Sequence, residues 1–141
     1  MIGLEVPPYA LADTLSAVVA QTLVTKVCPK CSHEVAPPSG EELKTLGIAS
    51  EWFGPSPLFL EGRGCSHCMM RGFRGRLLIA EGFYVDATIR HLILNRVTSE
   101  EIRKAQVAQG GKTLLQRACE AAGAGRVPLS KALALGSIGK E

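Results

Sequence analysis

Two Cys-x2-Cys pairs constrain this 141-residue chain more than any other feature. Cys28 and Cys31 lie in KVCPKCSHE, Cys65 and Cys68 lie in GCSHCMMRGFRGR, and residues 32–64 separate them. A Cys-x2-Cys knuckle points two sulfurs at one ion, and two knuckles complete a tetrahedral thiolate site. Soft thiolates select zinc or iron over magnesium or calcium. Four sulfurs leave no position open for water, so the expected ion, Zn2+, is structural and no residue is expected to be catalytic. The competing readings are four unliganded core cysteines or a pair of disulfides. Five cysteines, an odd number with four in close pairs, fit a reducing compartment and a metal better than a disulfide framework. Cys119 falls on a helical apolar pattern and reads as a small core residue.

Iron is the other thiolate chemistry, because CPKC resembles one knuckle of a rubredoxin. Rubredoxins are acidic and surround their metal with aromatic side chains. This chain has a formal charge of +3 and only 5% aromatic residues. His33 and His67 stand beside the cysteines and are expected to be exposed residues of the knuckles rather than ligands.

Composition bounds the partners. At 46% hydrophobic and 21% charged, the chain reads as globular, with room for a modest core built from Leu, Ile, Val and Ala. Four thiolates and one dication would bring the net charge to about +1, which is not a strongly basic surface. No apolar run approaches the ~18–20 residues that span a bilayer. MIGLEVPPYALAD lacks the basic start and cleavage site of a secretory signal, so a cytoplasmic location is expected.

The expected fold class is α+β and mainly helical, in three consecutive parts. Residues 1–26 should carry a helix opened by Pro7 and Pro8, with Leu11, Leu15, Val18, Val19 and Leu23 along one stripe and Gln21 at its solvent edge. Residues 27–85 should form a four-cysteine zinc subdomain with short strands. In it, SGEELKTLG is a short helix opened by Ser39 or Gly40 and stopped by Gly47. PLFLEG and RLLIAEGFYVD are strand candidates, the second with a possible bulge at Gly82. Residues 86–141 should form a helical bundle. Asp86 caps ATIRHLILNRV, Ser99 opens SEEIRKAQVAQ, and Thr113 with Gln116 opens TLLQRACEAA, which Gly123 and Gly125 end. Pro128 begins a last helix that Gly136 stops, leaving SIGKE frayed.

Two further stretches suggest chemistry. RGFRGR, residues 71–76, reads either as a nucleic-acid patch with Phe73 as a stacking platform, or as a glycine-rich turn holding arginines for a local or inter-subunit anion. The modest charge and scarce aromatics favour the turn. GGKT at 110–113 imitates a phosphate loop, but the first glycine of that motif is replaced by Gln106 and no strand pattern precedes it. It reads as a helix break.

The order of these features is similar to a known family. PPYALADTLSAVVAQTLVTKVCPKC, then CSHC-x3-GFRGRLLIAE, then the helical tail, resembles the C-terminal part of the type II secretion and type IV pilus assembly ATPases. The resemblance implies a zinc-bearing part of a hexameric motor at the bacterial inner membrane, with Zn2+ held by Cys28, Cys31, Cys65 and Cys68. It implies partners in the rest of the ATPase, neighbouring protomers and inner-membrane assembly proteins, while the modest charge and scarce aromatics argue against nucleic acid. ATP and Mg2+ would bind only in the full-length parent, whose phosphate loop lies upstream of this stretch, so the chain alone should not turn over ATP. Gly75, Arg76, Ile79 and Glu81 match a Gly-Arg-x-Gly-Ile-x-Glu-like segment, which implies that Arg76 lies near nucleotide or an adjacent protomer. Where the family usually has two arginines the chain has Thr22 and Thr25, and where it usually has glycine the chain has Met70. If that position needs a positive φ, Met70 is strained. The alternative to a motor part is a free-standing zinc ribbon that binds nucleic acid through Arg71, Arg74 and Arg76.

Overall fold

The computed structural model describes residues 6–138. These form six helices and two two-stranded sheets, in keeping with a mainly helical α+β class. The expected fraying of SIGKE lies outside the described residues from Gly139 onward, and Ser137 and Ile138 are helical.

The largest departure from expectation is near the start. Pro7 and Pro8 do open a helix, α1 (Pro8–Thr14), but the helix expected over the first 26 residues ends there. Leu15 is already extended, and β1 runs over Ala17–Val27. Val18, Val19, Thr22, Val24, Thr25 and Val27 explain the change, because branching at Cβ stiffens χ1 and favours the pleated strand. Strand pairing supplies the rest: β1 pairs with β4 (Phe73–Tyr84). Bonds from Val85 N to Ser16 O (2.9 Å) and from Cys28 N to Gly72 O (3.1 Å) mark an antiparallel register. Gln21 is exposed, as a solvent-edge residue should be.

Contacts gather the chain into two units, residues 1–20 with 81–113, and residues 21–80 with 114–141. In the first, α1 packs on α3 (Ala87–Leu94), and α3 packs on α4 (Ser99–Ala108). Asp86 caps α3 as expected, its Oδ1 accepting from Ile89 N at 2.9 Å. The helix ends at Leu94, before Val97. The cap of α4 is Thr98 rather than Ser99. Thr98 Oγ1 accepts from Glu101 N, and Glu101 Oε2 accepts from Thr98 N, the reciprocal box that a Thr-x-x-Glu spacing supports.

The second unit holds a core of Val24, Leu43, Ile48, Phe53, Phe59, Ile79, Val127 and the small residues of α5 (Leu114–Gly123), with Cys119 fully buried among them. Phe53 and Phe59 meet edge to face at 5.0 Å. Helix α2 (Gly40–Leu46) is capped by Ser39 Oγ and closed by left-handed Gly47, as read from the sequence. Helix α5 ends in a Schellman arrangement. Gly125 N bonds to Ala122 O and Arg126 N to Ala121 O, with Gly125 at φ +66°. Helix α6 (Leu129–Ile138) runs through Gly136 instead of stopping there. A Cβ at Gly136 would meet Leu46, Ile48 and Leu115 at ordinary contact distances of 3.6–3.7 Å, so the position neither stops the helix nor demands glycine.

Candidate metal centre

The two cysteine pairs meet because the elements between them are tied together. β2 (Ser32–Glu34) follows the first pair directly, and β3 (Leu60–Gly62) closely precedes the second. They pair antiparallel, with Ser32 opposite Gly62 and Glu34 opposite Leu60. One more bond, Arg63 N to Cys31 O at 3.1 Å, carries the tie to the first knuckle. Of PLFLEG, only the last three residues are strand; Leu58 instead makes an isolated bridge to Ala124.

The result is a cluster in which the four Sγ atoms of Cys28, Cys31, Cys65 and Cys68 lie within 4.8 Å of one another. Cys28 and Cys65 are 3.9 Å apart at sulfur, Cys31 and Cys68 3.8 Å, and Cys65 and Cys68 3.8 Å. A tetrahedron of four sulfurs about a centre at ~2.3 Å, the usual zinc–sulfur distance, has edges of about 3.8 Å. A disulfide would need about 2.05 Å. The donor set and its spacing therefore fit a tetrathiolate ion.

The backbone around the cluster is arranged for anionic sulfur. Cys65 N and Gly72 N each lie 3.2 Å from Cys68 Sγ and donate to it. Burial pushes the Cys68 thiol up, but those two N–H groups, with help from neighbouring sulfurs, bring it down to about 6. Cys31 goes the other way, to about 12, because desolvation outweighs the N–H of Gly64. Among the described residues no histidine joins the cluster. His33 and His67 are half-buried rather than exposed, and the Nδ1 of His33 is buried without a hydrogen-bond partner among the described residues.

The model of the type II/IV secretion system protein family matches residues 1–134 of the chain. The chain belongs to that family. A type IV pilus assembly ATPase PilB of Thermus thermophilus is 36% identical to it over 109 residues, 77% of this chain and 12% of that protein. A type II secretion system protein E of Klebsiella pneumoniae is 34% identical over 88 residues, 62% and 16% of the two chains. The corresponding protein E of Pseudomonas aeruginosa is 29% identical over 104 residues, 74% and 20%. This secretion-system chain thus spans a fifth or less of the length of these curated relatives.

Met70 does sit at positive φ (+60°), and so does Met69 (+52°), with both side chains more than 70% exposed. That conformation costs an L-residue roughly 1–2 kcal/mol. Thr25 carries a buried hydroxyl without a hydrogen-bond partner among the described residues. Arg76 is exposed on β4.

RGFRGR is a turn only in part: Arg71 and Gly72 bend the chain after the second knuckle, and Phe73–Arg76 already belong to β4. Gly72 and Gly75 take φ of +77° and +78°. Arg71 Nε donates to Cys68 O at 3.3 Å and its guanidinium lies 5.8 Å from the centre of the Phe73 ring. Arg74 Nη1 donates to His67 O. GGKT is a helix break: Gly110 N and Gly111 N close the end of α4 on Val107 O and Gln106 O. Sequence reasoning did not find the glycines at 62 and 72 that let the knuckles close. The signal available was only their position flanking the second cysteine pair.

Proposed function

We propose that the chain is the zinc-stapled C-terminal part of a hexameric ATPase that powers type II secretion or type IV pilus assembly. Its role is structural and interactive: it shapes the rim of the motor and presents a surface to inner-membrane assembly proteins. The observation that carries this reading is the cluster of four sulfurs within 4.8 Å of one another, three of the pairs at 3.8–3.9 Å, in a chain belonging to this family. Cys28, Cys31, Cys65 and Cys68 would hold one zinc ion, which supplies folding free energy and no chemistry.

The need for that free energy is visible in the strands. β2 and β3 have three residues each, too few to be stable as an isolated pair. The segment that follows β3, residues 63–72, is rich in glycine and arginine, and its Met69 and Met70 side chains are exposed rather than packed.

ATP and Mg2+ belong to the remainder of the motor. Arg76, exposed on β4, would contact a neighbouring protomer or its nucleotide. Val19 and Tyr84 in the first unit, and Leu23 and Leu78 in the second, are exposed apolar residues that the remainder of the motor covers. Among the described residues no helix is long and apolar enough to cross a membrane, which suits a cytoplasmic part held at the membrane through partners.

Chelation tests the staple. Amide NMR of the chain before and after complete metal removal should show residues 27–76 losing their dispersion while α3 and α4 keep theirs. An unchanged spectrum would overturn the reading.

A further inference from the structure

We infer that a cationic cleft beside the metal centre is a docking site for an acidic peptide segment of a partner protein. The cleft encloses about 700 Å³, within the ~300–1,000 Å³ typical of ligand sites. Lys26 from β1, Arg74 from β4 and Arg126 from the turn after α5 line it, and no acidic residue does. Val27, Pro29 and Leu60 supply apolar lining between the charges.

The cations are held in place by the fold. Arg126 follows the Schellman turn of α5, and its carbonyl accepts from Val27 N at 3.1 Å, which fixes it next to Lys26 on the chain of β1. Arg74 is braced by the bond from its Nη1 to the carbonyl of His67 on the second knuckle. Ordered cations lose less entropy on pairing with carboxylates than free surface lysines do.

Charge surplus gives the second argument. Residues 22–33 and 62–80, which contain the four cysteines, carry Lys26, Lys30, Arg63, Arg71, Arg74 and Arg76 and no acid. A zinc tetrathiolate has a charge of −2, so about four positive charges remain after the centre itself is neutralised. Glu34, Glu61 and Glu81 border these stretches but do not line the cleft.

The shape and lining select among anions. No Phe, Tyr or Trp lines the cleft, and the imidazole of His67 is the single aromatic ring in it, so successive bases have no stacking platform. A concave, partly apolar cleft does not fit the face of a bilayer. An extended segment that alternates carboxylates with aliphatic side chains matches both the cations and the apolar lining.

This inference rests on the reading of the chain as an interaction module, but its test separates the two. The 15N-labelled, zinc-loaded chain is titrated with a blocked six-residue peptide that alternates glutamate with leucine and glycine. Further arms use the glutamine version of the peptide, a short oligothymidylate and phosphatidylglycerol vesicles. Amide shifts confined to the surroundings of Lys26, Arg74 and Arg126 are expected with the acidic peptide alone. They should weaken about tenfold in the double variant Arg74→Gln and Arg126→Gln, with zinc content unchanged. Lys26→Gln, on the exposed strand, gives the same comparison without touching the knuckle. No shift at millimolar acidic peptide, equal response to the glutamine peptide, an undiminished response in the variants, or preferential response to oligothymidylate or vesicles overturns the docking site. None of those outcomes alters the zinc content on which the structural reading depends.

Discussion

Gly62 and Gly72 stand backbone to backbone, so close that a Cβ on Gly62 would overlap the carbonyl of Gly72. That carbonyl also accepts from Cys28 N, and the N–H of Gly72 donates to Cys68 Sγ. One close approach therefore joins β3, the first knuckle and the second.

Gly62→Ala should disrupt it, because the obstacle is backbone and cannot rotate away. A loss of about 2–3 kcal/mol in the zinc-loaded chain is expected, with weaker zinc binding in competition against a chromophoric chelator. A variant with the parent's zinc affinity would show that the approach is incidental.

Met70→Gly should do the opposite. Relieving a left-handed L-residue whose side chain is exposed is expected to stabilise the zinc-loaded chain by about 1 kcal/mol, read from thermal unfolding. An equal or lower melting temperature would mean that the methionine side chain makes a compensating contribution.

Gly123→Ala probes the core away from the sulfurs. A Cβ there collides with the carbonyl of Phe53, while Gly123 O accepts from Leu58 N at 2.7 Å. The expected cost is about 2–3 kcal/mol, with the ligand sulfurs still binding one zinc ion at low temperature. An unaffected melting temperature would argue that α5 and the turn at Ser50–Phe53 are not packed this closely.

How legible all this was varies with the kind of signal. The metal cluster was legible because thiolate pairs at fixed spacing have few alternatives. Caps were legible at Ser39 and Asp86, where one side chain satisfies one backbone N–H. The strand at Ala17–Val27 was misread because its Leu and Val spacing also fits a helical stripe. Residues 28–72 separate it from its partner β4, and pairing at that separation leaves no local trace. Gly136 was misread as a stop because a glycine tolerated inside a helix looks the same in sequence as one ending it. The cleft of Lys26, Arg74 and Arg126 was invisible as a unit, since its residues come from three distant segments.

Asp86 gives a prediction in pH. The N–H of Ile89, with smaller help from Gln109, holds its carboxyl below the ordinary value of 3.8 despite some burial. A depressed folded-state value means the cap stabilises α3 fully above the ordinary carboxylate range and loses that contribution as pH falls through the lowered value. The amide shift of Ile89 should therefore titrate with an apparent midpoint below 3.8. In Asp86→Asn it should stay flat over the same range. A midpoint at or above the ordinary value would remove the cap from the account.

X-ray absorption at the zinc edge of the purified, zinc-loaded chain tests the central claim most directly. Four sulfur neighbours at about 2.3 Å, with no nitrogen or oxygen in the first shell, are the predicted result. A shell containing histidine nitrogen, or a chain that retains no stoichiometric zinc, would contradict it.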